Sequence, residues 1–180
     1  PLKPGVVEAI QQLYARGFEV IMATGDHPTT AQFIAQRVGI QEYYAGVLPQ
    51  QKVEVLEKIR QKHAKVAMAG DGVNDAPALV MSDVGIAMGT GSDVAIESSD
   101  IVLVRGDLSL ISKSYDLAKN IVSNIKQNLF FAFIYNILGI PIAAGLFYPL
   151  FGVVLDPMVA AAAMSVSSIC VIGNALRLKS

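Results

Sequence analysis

From Gln127 to Ser180 the chain carries only three charged side chains, Asp156, Arg177 and Lys179. Within that stretch lie two runs without any charge, 129–147 and 158–176. Hydrocarbon offers a peptide group no hydrogen-bond partner, so a chain crossing it alone must do so as a helix. About 20 residues rising ~1.5 Å each match a ~30 Å hydrocarbon core, which makes these runs two transmembrane helices. The alternative, a buried hairpin in a large soluble core, would have to cover both runs and the connection 148–157, which has no Lys or Arg. Lys113, Lys119 and Lys126 precede the first run, and Arg177 and Lys179 follow the second. Basic residues favour the cytoplasmic side, so both ends are expected inside, with 148–157 as an extracytoplasmic loop and 177–180 as a cytoplasmic tail.

Residues 1–126 have the opposite character, holding 12 of the 14 Lys and Arg and 14 of the 15 Asp and Glu. With a net charge of −1, no basic footprint points to nucleic acid. The single cysteine, Cys170, excludes an internal disulfide. The chain opens Pro1-Leu2-Lys3-Pro4 with no signal-peptide pattern and reads as part of something longer. Short apolar runs alternate with amphipathic stretches. Strands are expected over 18–23, 43–47, 65–69, 84–88 and 101–104, and helices over 6–14, 29–38 and 50–62, with a brief one from Asp75. That order predicts a doubly wound, parallel α/β sheet. The small-residued run 65–69 reads as its buried central strand.

Ligands of open α/β sheets collect at the carboxyl ends of the strands. There the 65–69 strand meets Gly70-Asp71-Gly72-Val73-Asn74-Asp75-Ala76-Pro77-Ala78-Leu79. Gly70 and Gly72 permit a tight bend. Asp71 and Asp75 place two carboxylates close together, an oxygen set suited to Mg²⁺, with Asn74 as a neutral hydrogen-bonding neighbour. The 18–23 strand ends in Thr24-Gly25-Asp26, which would offer a hydroxyl and backbone N–H groups to an anion, or form an ordinary turn. Lys52, after Pro49, is either a point charge for a phosphoryl group or a solvated surface lysine. Gly89-Thr90-Gly91 before Ser92 reads as a turn capping a helix.

Taken together, Gly70–Leu79, the Thr24-Gly25-Asp26 segment, Pro49-x-x-Lys52 and the following VGIAMGTGSDVA resemble the distal half of the phosphorylation domain of P-type ATPases, a haloacid-dehalogenase-like fold. The resemblance implies that Asp71 holds Mg²⁺, supported by Asp75 and Asn74. It also implies that Thr24, with Gly25 and Asp26 shaping its loop, bonds an aspartyl-phosphate, and that Lys52 neutralises the phosphoryl oxygens. Thr24, Lys52, Gly72 and Asn74 would line the nucleotide-derived phosphate. Phosphoryl transfer is largely positioning and charge neutralisation, which agrees with this set. The family's nucleophile lies in Asp-Lys-Thr-Gly-Thr, and no aspartate of this chain is followed by Lys. The chain alone is therefore expected to be inactive, its nucleophile and most of its ATP-binding residues belonging to polypeptide outside it.

The uncharged runs contain polar groups. Asn136 beside Tyr135 needs a partner in hydrocarbon, through either a transport role or helix association. Pro141 frees the carbonyl of Ile137. Met164, Ser167 and Ser168 share a helical face, as metal donors or as packing residues. Tyr135-Asn136-x4-Pro141 and Met164-x-x-Ser167-Ser168 resemble the membrane signatures of the heavy-metal (type IB) branch that exports Cu⁺, which implies Tyr135, Asn136, Met164 and Ser168 as residues of the ion path. A thioether suits a soft monovalent ion, Cu⁺ or Ag⁺. The Lys and Asp of zinc-type relatives, and the intramembrane carboxylates of Ca²⁺ pumps, are absent from both runs.

The resemblance thus implies the C-terminal part of an ATP-driven Cu⁺ exporter in a bacterial plasma membrane. Its partners would be the rest of the pump, the lipid bilayer, Cu⁺ and a copper chaperone. Its organisation would be a phosphorylation half-domain over 1–107, a linking helix over 108–128 and then the membrane hairpin. A truncated, non-catalytic protein that regulates or assists metal transport is the other reading, supported by the missing nucleophile.

Overall fold

The computed structural model describes residues 2–89, 92–145, 152 and 157–179. Residues 90–91 of the expected turn and nearly all of the expected loop 148–157 lie outside the described residues. Two compact units divide the chain, Pro1–Ser114 and Tyr115–Ser180.

The first unit begins with α1 (Val6–Ala15), whose Ala9, Ile10 and Leu13 are buried. Its apolar stripe ends at Gly17, where φ is 83°, a value open to glycine without strain. After β1 (Ile21–Ala23), Pro28 opens α2 (Pro28–Val38) in the first turn, where a missing N–H costs nothing. Helix α2 buries Ala31, Ala35 and Val38 and stops at left-handed Gly39, with Ile40 N donating to the Ala35 carbonyl at 2.9 Å. Strand β2 (Glu42–Tyr44) pairs in parallel with β1, Ile21 opposite Glu42 and Ala23 opposite Tyr44. Helix α3 (Gln51–Lys62) turns Val55 and Leu56 inward.

Strands β3 (Ala67–Gly70), β4 (Val84–Met88) and β5 (Ile101–Leu103) form a second parallel sheet in the order β3-β4-β5, with α4 (Ala76–Met81) and α5 (Asp93–Glu97) between them in sequence. The strands and connecting helices are those of the expected parallel α/β class, but the sheet comes in two pieces. The reading of 65–69 as a buried central strand is corrected. Among the described residues β3 pairs on one side only, and Ala67 and Ala69 are exposed. The central strand is β4, with Ile86 6% and Ala87 0% exposed. Small apolar residues suit a strand between two neighbours, and nothing local reveals whether the second neighbour belongs to the same chain.

Asp83 ties the sheet's entry together. Its carboxylate accepts from Lys65 Nζ at 2.8 Å and from Val66 N at 3.0 Å, while Asp83 N donates to the Val66 carbonyl at 2.9 Å. The Lys65 hydrogen bond, then the Val66 N–H, lower its pKa to about 2. At the end of the unit Asp107 accepts from Ser109 N and Ser109 Oγ, both at 2.8 Å, capping helix α6 (Ser109–Ala143).

In the second unit, α6 continues and α7 (Pro157–Leu176) follows. Among the described residues one helix, Ser109–Ile142, is long and apolar enough to cross a membrane, and Ser165–Leu176 is a shorter apolar stretch of α7. The segments 108–128 and 129–147 are read separately from the sequence because charge stops between them. A backbone helix has no reason to stop there, and α6 runs through.

Asp83→Asn keeps the side chain's shape and removes its charge. A folded pKa below the unfolded value of ~3.9 means the stabilisation is complete above about pH 4 and is lost as pH falls toward 2. Thermal melting of the detergent-solubilised chain is expected to show the variant melting lower at neutral pH, with the gap closing through that acid window.

Candidate functional site

The site is assembled at the carboxyl ends of β1 and β3. Beyond β2, Leu48 N donates to Gln51 Oε1 at 2.9 Å and Gln51 N to the Leu48 carbonyl at 2.9 Å, a reciprocal closure that sets the start of α3. Lys52 follows in the first turn, and its Nζ reaches across to Asp75 Oδ1 at 2.5 Å. The two side chains are 16% and 9% exposed, so neither is the solvated surface group its sequence position allows. Asp75 sits in a short 3-10 turn, Val73–Asp75, directly before α4. Its other oxygen, Oδ2, accepts from Gly72 N at 3.2 Å, and its own N–H donates to the Gly72 carbonyl at 3.0 Å. Both carboxylate oxygens are therefore engaged, one by a cation and one by the loop.

Gly70 makes that closure sterically possible. A Cβ there would stand 2.6 Å from Asp75 Cβ and 2.9 Å from Asp75 Oδ2. Asp71 precedes the turn and Asn74 is its middle residue, and both are exposed. The Asp71 carbonyl accepts from Ser92 N at 3.0 Å, and the Ser92 hydroxyl accepts from Ala95 N at 3.3 Å, so the start of α5 is fastened to the same loop.

The Thr24-Gly25-Asp26 loop is held from the β2 side. Thr24 N donates to the Tyr44 carbonyl at 2.9 Å, Val47 N to the Thr24 carbonyl at 3.0 Å and Gly46 N to the Asp26 carbonyl at 2.9 Å. Thr24 Oγ1 donates to Asp26 Oδ2 at 3.0 Å and accepts from Asp26 N at 3.2 Å. The structure thus brings Lys52 and Asp75 into contact, and fastens the Thr24 loop to the segment that leads into α3. The hydrogen bonds of Thr24 and Asp26 go to 44–47 and to each other.

Among the described residues no group of three His, Cys, Asp or Glu side chains could hold a metal ion by itself. Mg²⁺ does not need one, because it commonly takes one or two carboxylates and completes its shell with water and phosphate oxygens. The exposed Asp71 carboxylate, with Asn74 nearby, fits that requirement. Asp75 is committed to Lys52 and Gly72.

In the membrane-type helices, Tyr135 and Asn136 lie on α6, and Met164 and Ser168 on α7. Asn136 Nδ2 donates to the Ala132 carbonyl of its own helix at 3.0 Å, the partner that an amide in hydrocarbon requires. Pro141 lies within α6, which continues to Ala143. Met164 and Ser168 are four residues apart on α7. The side chains of Tyr135 and Met164 lie outside the described residues.

A family model for haloacid dehalogenase-like hydrolases matches residues 1–83. The whole length aligns with a copper-exporting P-type ATPase of Legionella pneumophila, 54% identical over 99% of this chain and 24% of that protein. It aligns equally with a silver exporting P-type ATPase of Salmonella typhimurium, 53% identical over 100% of this chain and 22% of that one. Along its whole length the chain is thus similar to P-type ATPases. Among solved structures, a zinc-transporting PIB-type ATPase in its E2.Pi state superposes with a TM-score of 0.84, 36% identical, over 99% of this chain and 28% of that one. The catalytic domain of the CPx-ATPase CopB-B superposes with a TM-score of 0.57, 37% identical, over 62% of this chain and 44% of that one. The chain spans about a quarter of the length of the curated P-type ATPases it matches.

Sequence reasoning missed a cluster of asparagines, Asn124, Asn128 and Asn174, although a repeat of Asn120, Asn124 and Asn128 every four residues was there to be read. It also missed Asp83.

Lys52→Met would leave the Asp75 carboxylate buried beside no cation. Equilibrium chemical denaturation is expected to show a loss of about 2–3 kcal/mol, the cost of breaking a largely buried pair from one side. The double variant Lys52→Met/Asp75→Leu should lose less than the sum of the two single variants.

Proposed function

We propose that this chain is part of an ATP-driven pump that exports Cu⁺, and accepts Ag⁺, through an aspartyl-phosphate whose nucleophile lies outside the chain. The observation that carries the phosphoryl-transfer reading is the half-buried Lys52, held by Asp75 beside exposed Asp71 at the carboxyl ends of parallel strands. A lysine so fixed presents its charge to a phosphoryl oxygen without first losing side-chain freedom. Asp75 serves as the residue that positions Lys52. The Thr24 hydroxyl can turn from Asp26 to donate to a phosphoryl oxygen, alongside the N–H groups of Gly25 and Asp26. Asp71, with Asn74, would hold Mg²⁺, which when bound neutralises charge on the phosphate.

Support for an outside nucleophile comes from the sheet. Among the described residues, strand β3 has an unpaired edge with exposed alanines, and β1 pairs only with β2. A strand carrying Asp-Lys-Thr-Gly-Thr from the rest of the pump, placed between them, would join the two pieces and bring the nucleophile to Lys52 and Thr24.

The cargo reading is supported by the copper and silver exporters, which are 54% and 53% identical to the chain over the aligned residues, against 36% for the zinc-transporting structure. Met164 supplies the soft thioether, and Tyr135, Asn136 and Ser168 the oxygen and amide groups of the path. In this reading the phosphorylation unit lies on the cytoplasmic side, an orientation that the basic residues flanking the apolar helices support, and the proposed setting is a bacterial plasma membrane with a copper chaperone delivering the ion.

The test uses the complete pump reconstituted in vesicles. Asp71→Asn is expected to cut Cu⁺-stimulated ATP hydrolysis by about 100-fold or more, as removal of a metal ligand from a phosphoryl-transfer site does. Met164→Leu should weaken Cu⁺ stimulation by about tenfold while leaving Mg²⁺-dependent phosphorylation from inorganic phosphate intact. A pump whose ATP hydrolysis ignores both Cu⁺ and Ag⁺ would overturn the cargo reading.

A further inference from the structure

Three asparagines used by neither the phosphoryl site nor the ion path close a hydrogen-bonded ring between α6 and α7. Asn124 Nδ2 donates to the backbone carbonyl of Asn174 at 2.7 Å. Asn174 Nδ2 donates to Asn128 Oδ1 at 2.9 Å, and Asn128 Nδ2 donates to Asn124 Oδ1 at 3.0 Å. Asn124 is 8% exposed and Asn174 7%.

The accepting carbonyl explains the arrangement. Helix α7 ends at Leu176, so the carbonyl of Asn174 is among the last four, which an α-helix leaves without a partner of its own. An amide from the neighbouring helix caps it. Sliding one helix by a single residue, ~1.5 Å, or turning it by ~100°, would part both bonds that run between the helices and leave buried amides unpaired, while the Asn128–Asn124 bond lies within α6. The ring therefore admits one register.

Its surroundings place it at an aqueous boundary. A cleft of about 200 Å³ beside it is lined by Asn120, Ser123, Gln127 and Arg177, whereas Ile125, Leu129 and Ile172 nearby on the same helices are exposed and apolar. With Lys126 and Arg177 alongside, this is the basic, cytoplasmic end of the helix pair.

We propose that the Asn124–Asn128–Asn174 ring is a positioning lock: it fixes α6 to α7 at their cytoplasmic ends, so that α6 cannot shift or rotate without carrying α7 with it. The proposal rests on the pump reading. Asn136 belongs to α6, and Met164 and Ser168 to α7. Twelve residues separate Asn124 from Asn136, about 18 Å along the helix, so the ring touches no transported ion and acts only through register. With the lock closed, a displacement of α6 moves the donor groups of both helices as one body; with it open, ATP is hydrolysed but the two halves of the path move apart.

The test places spin labels at Ile125 and Ile172 of the complete pump, in nanodiscs, and measures their separation with and without a phosphate analogue such as beryllium fluoride. In the otherwise unsubstituted pump the distribution is expected to stay narrow and unchanged. In Asn128→Ala, and in the near-isosteric Asn174→Asp, it should broaden or shift. Cu⁺ moved per ATP hydrolysed should fall about threefold or more in both variants, with ATP hydrolysis itself retained. A separation that changes with the phosphate analogue in the unsubstituted pump, or variants that alter neither the distribution nor the transport ratio, would overturn the lock. The distance measurement depends on no particular cargo, so a failure of the copper reading leaves it interpretable.

Discussion

The ion pair between Lys52 and Asp75 organises the first unit. It joins two segments 23 residues apart, the start of α3 and the turn after β3. A charge this poorly solvated is tolerated only when paired and hydrogen-bonded, and Asp75 meets the condition with Lys52 on one oxygen and Gly72 N–H on the other. The requirement propagates outward. Gly70 must lack a side chain to admit Asp75, and the Gly72 loop must bend as it does. Asp71 is then left as the exposed carboxylate at the mouth of the strand. In the proposed site, a lysine anchored from behind and an acid facing solvent would divide the two charge roles of phosphoryl transfer between different residues.

The divided sheet has the same logic on a larger scale. Parallel sheets are normally covered on both faces, yet among the described residues β3 is paired to β4 alone. Its alanines carry the composition of a central strand in an edge position. Such an edge is an aggregation hazard in isolation and a template in an assembly. The unpaired edge of β3 is also the place where the proposed chemistry needs another segment.

The apolar helices depend on polar contacts at particular depths. Asn136 donates an amide N–H to a carbonyl of its own helix, on the helix exterior. Asn124, Asn128 and Asn174 instead satisfy one another between helices. In lipid, apolar side chains give little preference for one helix register over another, since hydrocarbon tails compete equally well for contact. Directional amide bonds supply the preference. The same residue type thus does unlike things eight or twelve positions apart on one helix, according to whether another helix end lies within reach.

Much of this was legible along the chain. Charge-free runs announce membrane helices because lipid tolerates few alternatives. Gly17, Pro28 and Gly39 mark where helices begin and end because they restrict or release φ, a local matter. The cluster from Gly70 to Leu79 stood out as a candidate site because two carboxylates and two glycines crowd the end of a strand. Other features needed the folded chain. That Lys52 is buried against Asp75 and not solvated, that 65–69 forms an edge and β4 the centre, and that three asparagines close a ring 50 residues across are all facts about which segments become neighbours. Sequence determined what each segment could be, through backbone sterics and the cost of placing polar groups in oil. Only the tertiary structure decided which groups pay that cost to one another, because pairing energies depend on distances that no local rule contains.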